Sequence, residues 1–268
     1  MEILQILGFI GAFLVGLILG LIGSGGSILS VPILVYLFGI SPVIATAYSL
    51  FIVGSTSFVG SIKNFKKKLI NYNTTLIFSF SAIISVYITR KYLIHFIPET
   101  IINSELIQLN KNQLIMLLFS LLMITAGFLM IKKTPKTIIV LKKTKTIAPN
   151  KFLIFFEGLL IGFVTGILGA GGGFIIIPIL VILSDLRMKA AIATSLAIIS
   201  LKSLIGFIGD IQNLEIDWVF LIIFTSISII GIFFGQEFSN KISENKLKMF
   251  FGGFLIILSF GIIFLEFI

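Results

Sequence analysis

The chain has 268 residues, of which 57% are hydrophobic and 12% charged, with a formal net charge of +9 and a mean hydropathy of +1.18. Soluble domains carry about 45–50% apolar and about 25% charged residues. A soluble enzyme or nucleic-acid module is therefore excluded, and several apolar runs reach the ~20 residues that cross a bilayer. With no cysteine and one histidine, His95, thiolate chemistry, disulfides and a histidine metal cluster are excluded too; no cofactor, metal or nucleic-acid partner is expected.

The first apolar segment, Ile3–Ile22, lacks a basic leader beside Glu2 and reads as a permanent span. It ends at Gly23-Ser24-Gly25-Gly26, and a shorter apolar segment, Ser27–Phe38, follows up to the turn signal Gly39-Ile-Ser-Pro42. Val43–Ile62 is a span rich in small residues, Lys63–Lys68 a basic loop, and Thr74–Ile97 a span closed by Pro98. Glu99–Lys111 reads as a polar linker and Gln113–Ile131 as a span. Lys132–Lys151 carries seven lysines, no acid and two prolines, a solvated connection between a first half, 1–131, and a second, 152–268. The second half repeats the order: Phe152–Leu168, a glycine break, Phe174–Leu183, Ala190–Gly209, Trp218–Gly235 and Leu247–Ile268.

The halves are an internal duplication. Pairing residue i with i+146 runs without a gap from Gly16/Gly162 to Tyr72/Trp218, and 19 of these 57 pairs are identical. They include every glycine of Gly16, Gly20, Gly23, Gly25 and Gly26, the pair Pro32/Pro178, and Ser49/Ser195 and Ser57/Ser203. Loop charge orients them. Lys63–Lys68 is basic, while its counterpart holds Asp210, Glu215 and Asp217 and no basic residue. Lys and Arg gather on the cytoplasmic side. With Lys63–Lys68 and the 132–151 linker inside, 16 of 20 Lys and Arg lie inside, three outside and Lys202 within a span. The expected fold is an all-α polytopic protein of the cell membrane. It has two antiparallel, inverted repeats of about five segments each, an arrangement common in secondary transporters. Whether the short segments cross or re-enter stays open.

The glycine breaks carry the chemistry. Non-helical backbone at membrane depth must face protein or water. A helix restarting there presents free N–H groups and a partial positive charge, a site for an anion. Gly16-xxx-Gly20 and Gly162-xxx-Gly166 read as close-packing motifs. The anion is expected at Gly23, Ser24, Gly25, Gly26 and Ser27 of the first break and at Gly169, Ala170, Gly171, Gly172 and Gly173 of the second. No Gly-Lys-Ser/Thr follows either break, which excludes a nucleotide loop. The hydroxyls of Ser49, Ser195 and Thr194 (equivalent to Tyr48) line the neighbouring spans; the competing reading is a bond to their own helix carbonyls. Lys202 sits at depth, where an ionisable residue points to function, against a snorkelling role. Glu157 reads as solvated or lysine-paired, and Arg90, Lys91, Gln236 and Glu237 as anchors at span ends.

The paired Gly-x-Gly-Gly breaks followed by a proline, with Ala47-Tyr-Ser-Leu50 and Ala193-Thr-Ser-Leu196 about 20 residues on, resemble the sulfite exporter TauE/SafE family. The second half is the closer match; the first has Tyr48 and Ser27 where the second has Thr194 and Gly173. The resemblance implies a secondary transporter, not an enzyme, that carries sulfite, organosulfonates or related small sulfur anions outward. Coupling to a proton or ion is the default, because the chain holds no nucleotide domain. The alternatives are a transporter of another small anion or a non-transporting membrane scaffold. A membrane enzyme ranks third, since neither a metalloprotease helix motif nor a serine–histidine constellation is present.

Overall fold

A computed structural model describes residues 3–23, 26–103, 108–131, 151–169, 171–182, 184, 186–239 and 244–267. Before the 132–150 segment come α1 (Ile3–Ile22), α2 (Gly26–Tyr36), α3 (Pro42–Lys66), α4 (Tyr72–Ile88) and α5 (Lys111–Ile131). After it come α6 (Lys151–Leu168), α7 (Gly173–Ile182), α8 (Met188–Ile211), α9 (Trp218–Phe238) and α10 (Glu244–Phe267). Among the described residues, seven helices are long and apolar enough to cross a membrane. The chain is a multi-pass helical membrane protein.

The short helices answer the question of crossing. α2 has 11 residues and α7 has 10, so each reaches only about 15–17 Å at a rise of about 1.5 Å per residue. Gly23, at φ +77°, ends α1 with its N–H on the Leu19 carbonyl at 2.8 Å, the left-handed stop that glycine makes without strain. The chain then doubles back. Gly26 lies against Val15 and Leu19, Ile33 against Gly11, and Phe38 against Gly8. α1 and α2 are thus a helical hairpin that returns to the end where it began.

Contacts across the molecule follow the 146-residue offset. α1 packs on α9 with Gly16 against the Ser228 backbone and Gly20 against Gly235 and Ile232. α6 packs on α4 with Gly162 against Ala82 and Gly166 against Thr89 and Val86. Each contact of the second set is the first with the two halves exchanged. The caps obey the same rule. Asn71 and Asp217 cap α4 and α9 by accepting from the backbone N–H of Thr74 and Phe220. The Asn71 N–H donates to Thr194 Oγ1 at 3.0 Å, and the Asp217 N–H donates to the equivalent Tyr48 hydroxyl at 2.6 Å. α3 and α8 cross antiparallel: Arg90 joins Thr46 at the start of α3 to Asp210 at the end of α8, Gly54 meets Leu204 at mid-length, and Asn64 shares a cavity wall with Lys189 at the other end.

These close approaches need glycine. A Cβ at Gly16 would collide with the Ser228 carbonyl and lie 3.0 Å from the Ile232 nitrogen, both rigid backbone. Overpacking costs about 1–3 kcal/mol and occasionally more. Gly16→Val should therefore lower the melting temperature in detergent by several degrees. Gly253→Ala, where nothing lies within 4 Å, should leave it unchanged or raise it slightly. Equal melting temperatures for both would contradict the packing role.

Three expectations change. Glu99–Lys111 is not a plain linker: Thr100–Asn103 and Gln108–Asn110 pair as an antiparallel ribbon. α3 runs to Lys66, so Lys63 and Lys66 of the basic loop ride its last turn, where cations suit the helix dipole. α8 runs to Ile211, so Asp210 belongs to a helix and is 1% exposed, not part of a solvated loop. The 132–150 part of the linker lies outside the described residues.

Candidate functional site at the meeting of the glycine breaks

The second break is a run of left-handed backbone: Gly169, Gly171 and Gly172 have φ of +63°, +61° and +72°. An L residue there costs roughly 1–2 kcal/mol. The Gly169 N–H closes α6 on the Thr165 carbonyl at 2.9 Å, and the Gly172 carbonyl accepts from Ile175 and Ile176 to start α7. A Cβ on Gly171 would stand 2.8 Å from Val53, 3.1 Å from the Ser27 Cβ and 3.6 Å from Ile199. Val53 and Ile199 are equivalent under the offset, and Ser27 belongs to the first break. The two breaks therefore touch where equivalent side chains of both halves converge.

Lys202 reaches this point. It is fully buried, its Nζ donates to Thr165 Oγ1 at 2.6 Å, and it lies 3.4 Å from where a Gly172 Cβ would be. Thr165 in turn donates to the Ile161 carbonyl at 2.7 Å. Snorkelling is overturned, since no part of the side chain reaches the surface. Among the described residues the ion pairs are Lys63–Glu237 and Arg90–Asp210, so no described carboxylate neutralises Lys202. A buried charge without a counter-charge is costly, and Lys202 meets the Thr165 hydroxyl alone among the described residues.

The hydroxyls divide. Ser30 Oγ donates to the Ser27 carbonyl at 3.0 Å and shares a 2.5 Å hydrogen bond with Ser49 Oγ, tying Ser49 to the first break. Ser195 Oγ contacts the Ile192 carbonyl at 2.9 Å and the Gly23 carbonyl at 3.3 Å, so the internal bond and the link to the break coexist. Thr194 is engaged in capping, with its Oγ1 taking the Asn71 N–H. Gly26 packs on Val15, and Gly169 packs on Thr46. Ser57 and Ser203, equivalent and fully buried, have no hydrogen-bond partner among the described residues. Ser24, Gly25 and Ala170 lie outside the described residues.

The span-end reading of Arg90 does not hold. Arg90 is fully buried on a π-helical turn, Thr89–Leu93, that continues α4; such turns often accompany function. Its Nε donates to Asp210 Oδ2 at 2.6 Å, and its Nη1 donates to Thr46 Oγ1 at 3.1 Å and to the Gly166 carbonyl at 3.2 Å. The offset held a clue, because Arg90 aligns with Gln236 and Asp210 with Asn64. Glu157 has neither a lysine nor a hydrogen-bond partner among the described residues, so the expected lysine pairing is not found.

The sequence matches the family model described as sulfite exporter TauE/SafE over residues 8–262. The chain belongs to the sulfite exporter TauE/SafE family. Relatives include a "probable membrane transporter protein" of Xylella fastidiosa, 27% identical over 87% of this chain and 84% of its own. One of Methanocaldococcus jannaschii is 27% identical over 95% and 92%, and YunE of Bacillus subtilis is 24% identical over 92% and 91%. No solved structure matches. The TauE/SafE match spans both glycine breaks, Lys202 and the Arg90–Asp210 pair, which identifies the protein as a member of a membrane transporter family.

Proposed function

We propose that this TauE/SafE protein is a secondary transporter of small oxyanions, with sulfite and organosulfonates as the first candidates. It works by alternating access between two halves inverted across the bilayer, exports its substrate, and couples export to a proton or ion. The observation that carries this reading is Lys202: a buried cation with no described counter-ion, beside Gly172 at the start of α7, where the two breaks touch. An anion there gains both the lysine charge and the helix N-terminus, equivalent to roughly +0.5 elementary charge. At an effective dielectric of about 20, opposite charges 4 Å apart attract by roughly 4 kcal/mol. Sulfonate and sulfite oxygens accept several N–H donors at once, which suits glycine backbone. The exchange of contacts under the offset and the antiparallel α3–α8 pair support the inverted arrangement. Loop charge supports a cytoplasmic Lys63 end and a plasma-membrane location.

Binding to the native state alone stabilises it by about 2.7 kcal/mol at a hundred times the dissociation constant. Sulfite, thiosulfate, sulfoacetate or taurine should therefore raise the melting temperature of the purified protein and move across proteoliposomes, against sulfate and phosphate as comparisons. A panel in which no sulfur anion binds or moves would favour the scaffold reading.

A further inference from the structure

The two ends of the α3–α8 pair are equivalent under the offset, yet they are built in opposite states. At one end Arg90, Asp210, Thr46 and Gly166 close on one another through the buried ion pair and its hydrogen bonds. Their counterparts are Gln236, Asn64, Ile192 and Gly20. All four of these line a single cavity at the other end, whose mouth also carries Lys63, Lys67 and Lys189. The register follows from the neighbours of the two glycines: Gly20 lies against the Gly235 and Gln236 backbone, and Gly166 lies against the side chain of Thr89, the equivalent of Gly235. The Gln236 side chain does not bridge to Asn64; its Nε2 donates to the Gly60 carbonyl at 2.7 Å. The same four positions thus make a plug at one end and a cavity wall at the other. The backbone differs at the same place, because Arg90 sits on a π-helical turn while Gln236 lies within the α-helix of α9.

We propose that the Lys63-end cavity is an anion-collecting mouth of the substrate path, open in this structure. The Arg90–Asp210 pair is the latch that closes the equivalent mouth at the opposite end. Lys63 is paired with Glu237 at 3.5 Å, which leaves Lys67 and Lys189 as the charges around the concave opening that concentrate small anions. A buried ion pair suits a latch, since its geometry is specific and the charges become solvated when the ends separate. The proposal rests on the transporter reading but is tested without substrate.

The chain has no cysteine, so single-cysteine variants report cleanly. Leu196 is 1% exposed but forms part of the cavity wall, so the smaller cysteine side chain there leaves room for a reagent entering the cavity; its equivalent Leu50 is fully buried near the latched end. With a membrane-impermeant methanethiosulfonate reagent, Leu196→Cys should react from the Lys63 side and Leu50→Cys from neither. Adding R90Q and D210N, which copies the residue types of the open end, should raise Leu50→Cys labelling from the far side at least tenfold in monodisperse protein. Adding N64D and Q236R, which copies the latch into the cavity, should lower Leu196→Cys labelling at least tenfold. This second pair leaves the buried latch untouched and decides the matter if the first fails to fold. Labelling unchanged in the folded variants overturns the latch; if anion flux persists alongside, the transporter reading stands without it.

Discussion

Gly172→Val should reduce anion flux in proteoliposomes to under 1% of wild type while the protein still inserts. Two costs combine. At φ +72° a β-branched residue is strained, by roughly 1–2 kcal/mol. Its Cβ would also overlap the Thr165 methyl and crowd Lys202 Nζ at 3.4 Å, so valine would displace the groups proposed to hold the anion. The causes can be separated. Gly172→Ala keeps the clash with the Thr165 methyl, and Thr165→Ser removes that methyl while keeping the hydroxyl that meets Lys202. The Ala–Ser double variant should recover at least tenfold of the flux lost by Gly172→Ala. Normal flux in Gly172→Val would remove the second break from the site.

Lys202→Met has the second large expected effect, and its direction is diagnostic. If the lysine serves the anion, the variant loses ligand-dependent stabilisation and at least 100-fold in flux, equal to about 2.8 kcal/mol at about 1.4 kcal/mol per decade. The ligand-free protein should meanwhile keep its melting temperature or gain about 1 kcal/mol or more, because an unneutralised buried charge is replaced by a side chain of similar length. Thr165 still has the Ile161 carbonyl as a partner. A lysine with only a structural role predicts the reverse, a lower melting temperature with binding intact. Melting curves with and without sulfite, beside a flux assay, distinguish the two.

Apolar runs and glycine spacing made most of this fold legible. Gly16, Gly20 and Gly162 answer to close backbone contact, and Gly166 to the side chains of Thr89 and Val86, so these positions mark the duplication. The depth of Lys202 was readable; the direction of its side chain was not, because it depends on where α6 places Thr165. The equivalence of Thr194 with Tyr48 did not reveal that both side chains receive a cap N–H. Arg90 and Asp210 stand 120 residues apart, and a charge near a span end reads as interfacial unless its distant partner is known. The Thr100–Asn110 ribbon carries too little pattern for two short strands to announce themselves.

The offset contacts have one more consequence. α1 finds its closest partner in α9 and α6 finds its own in α4, so neither half packs as a self-sufficient body. Each contributes one self-complementary surface, used twice, in the manner of an isologous dimer. In the proposed alternating-access cycle the covalent halves would therefore not be the mechanical ones: a unit of motion would combine a hairpin from one half with a helix from the other, two interlocked bodies that the chain order does not name.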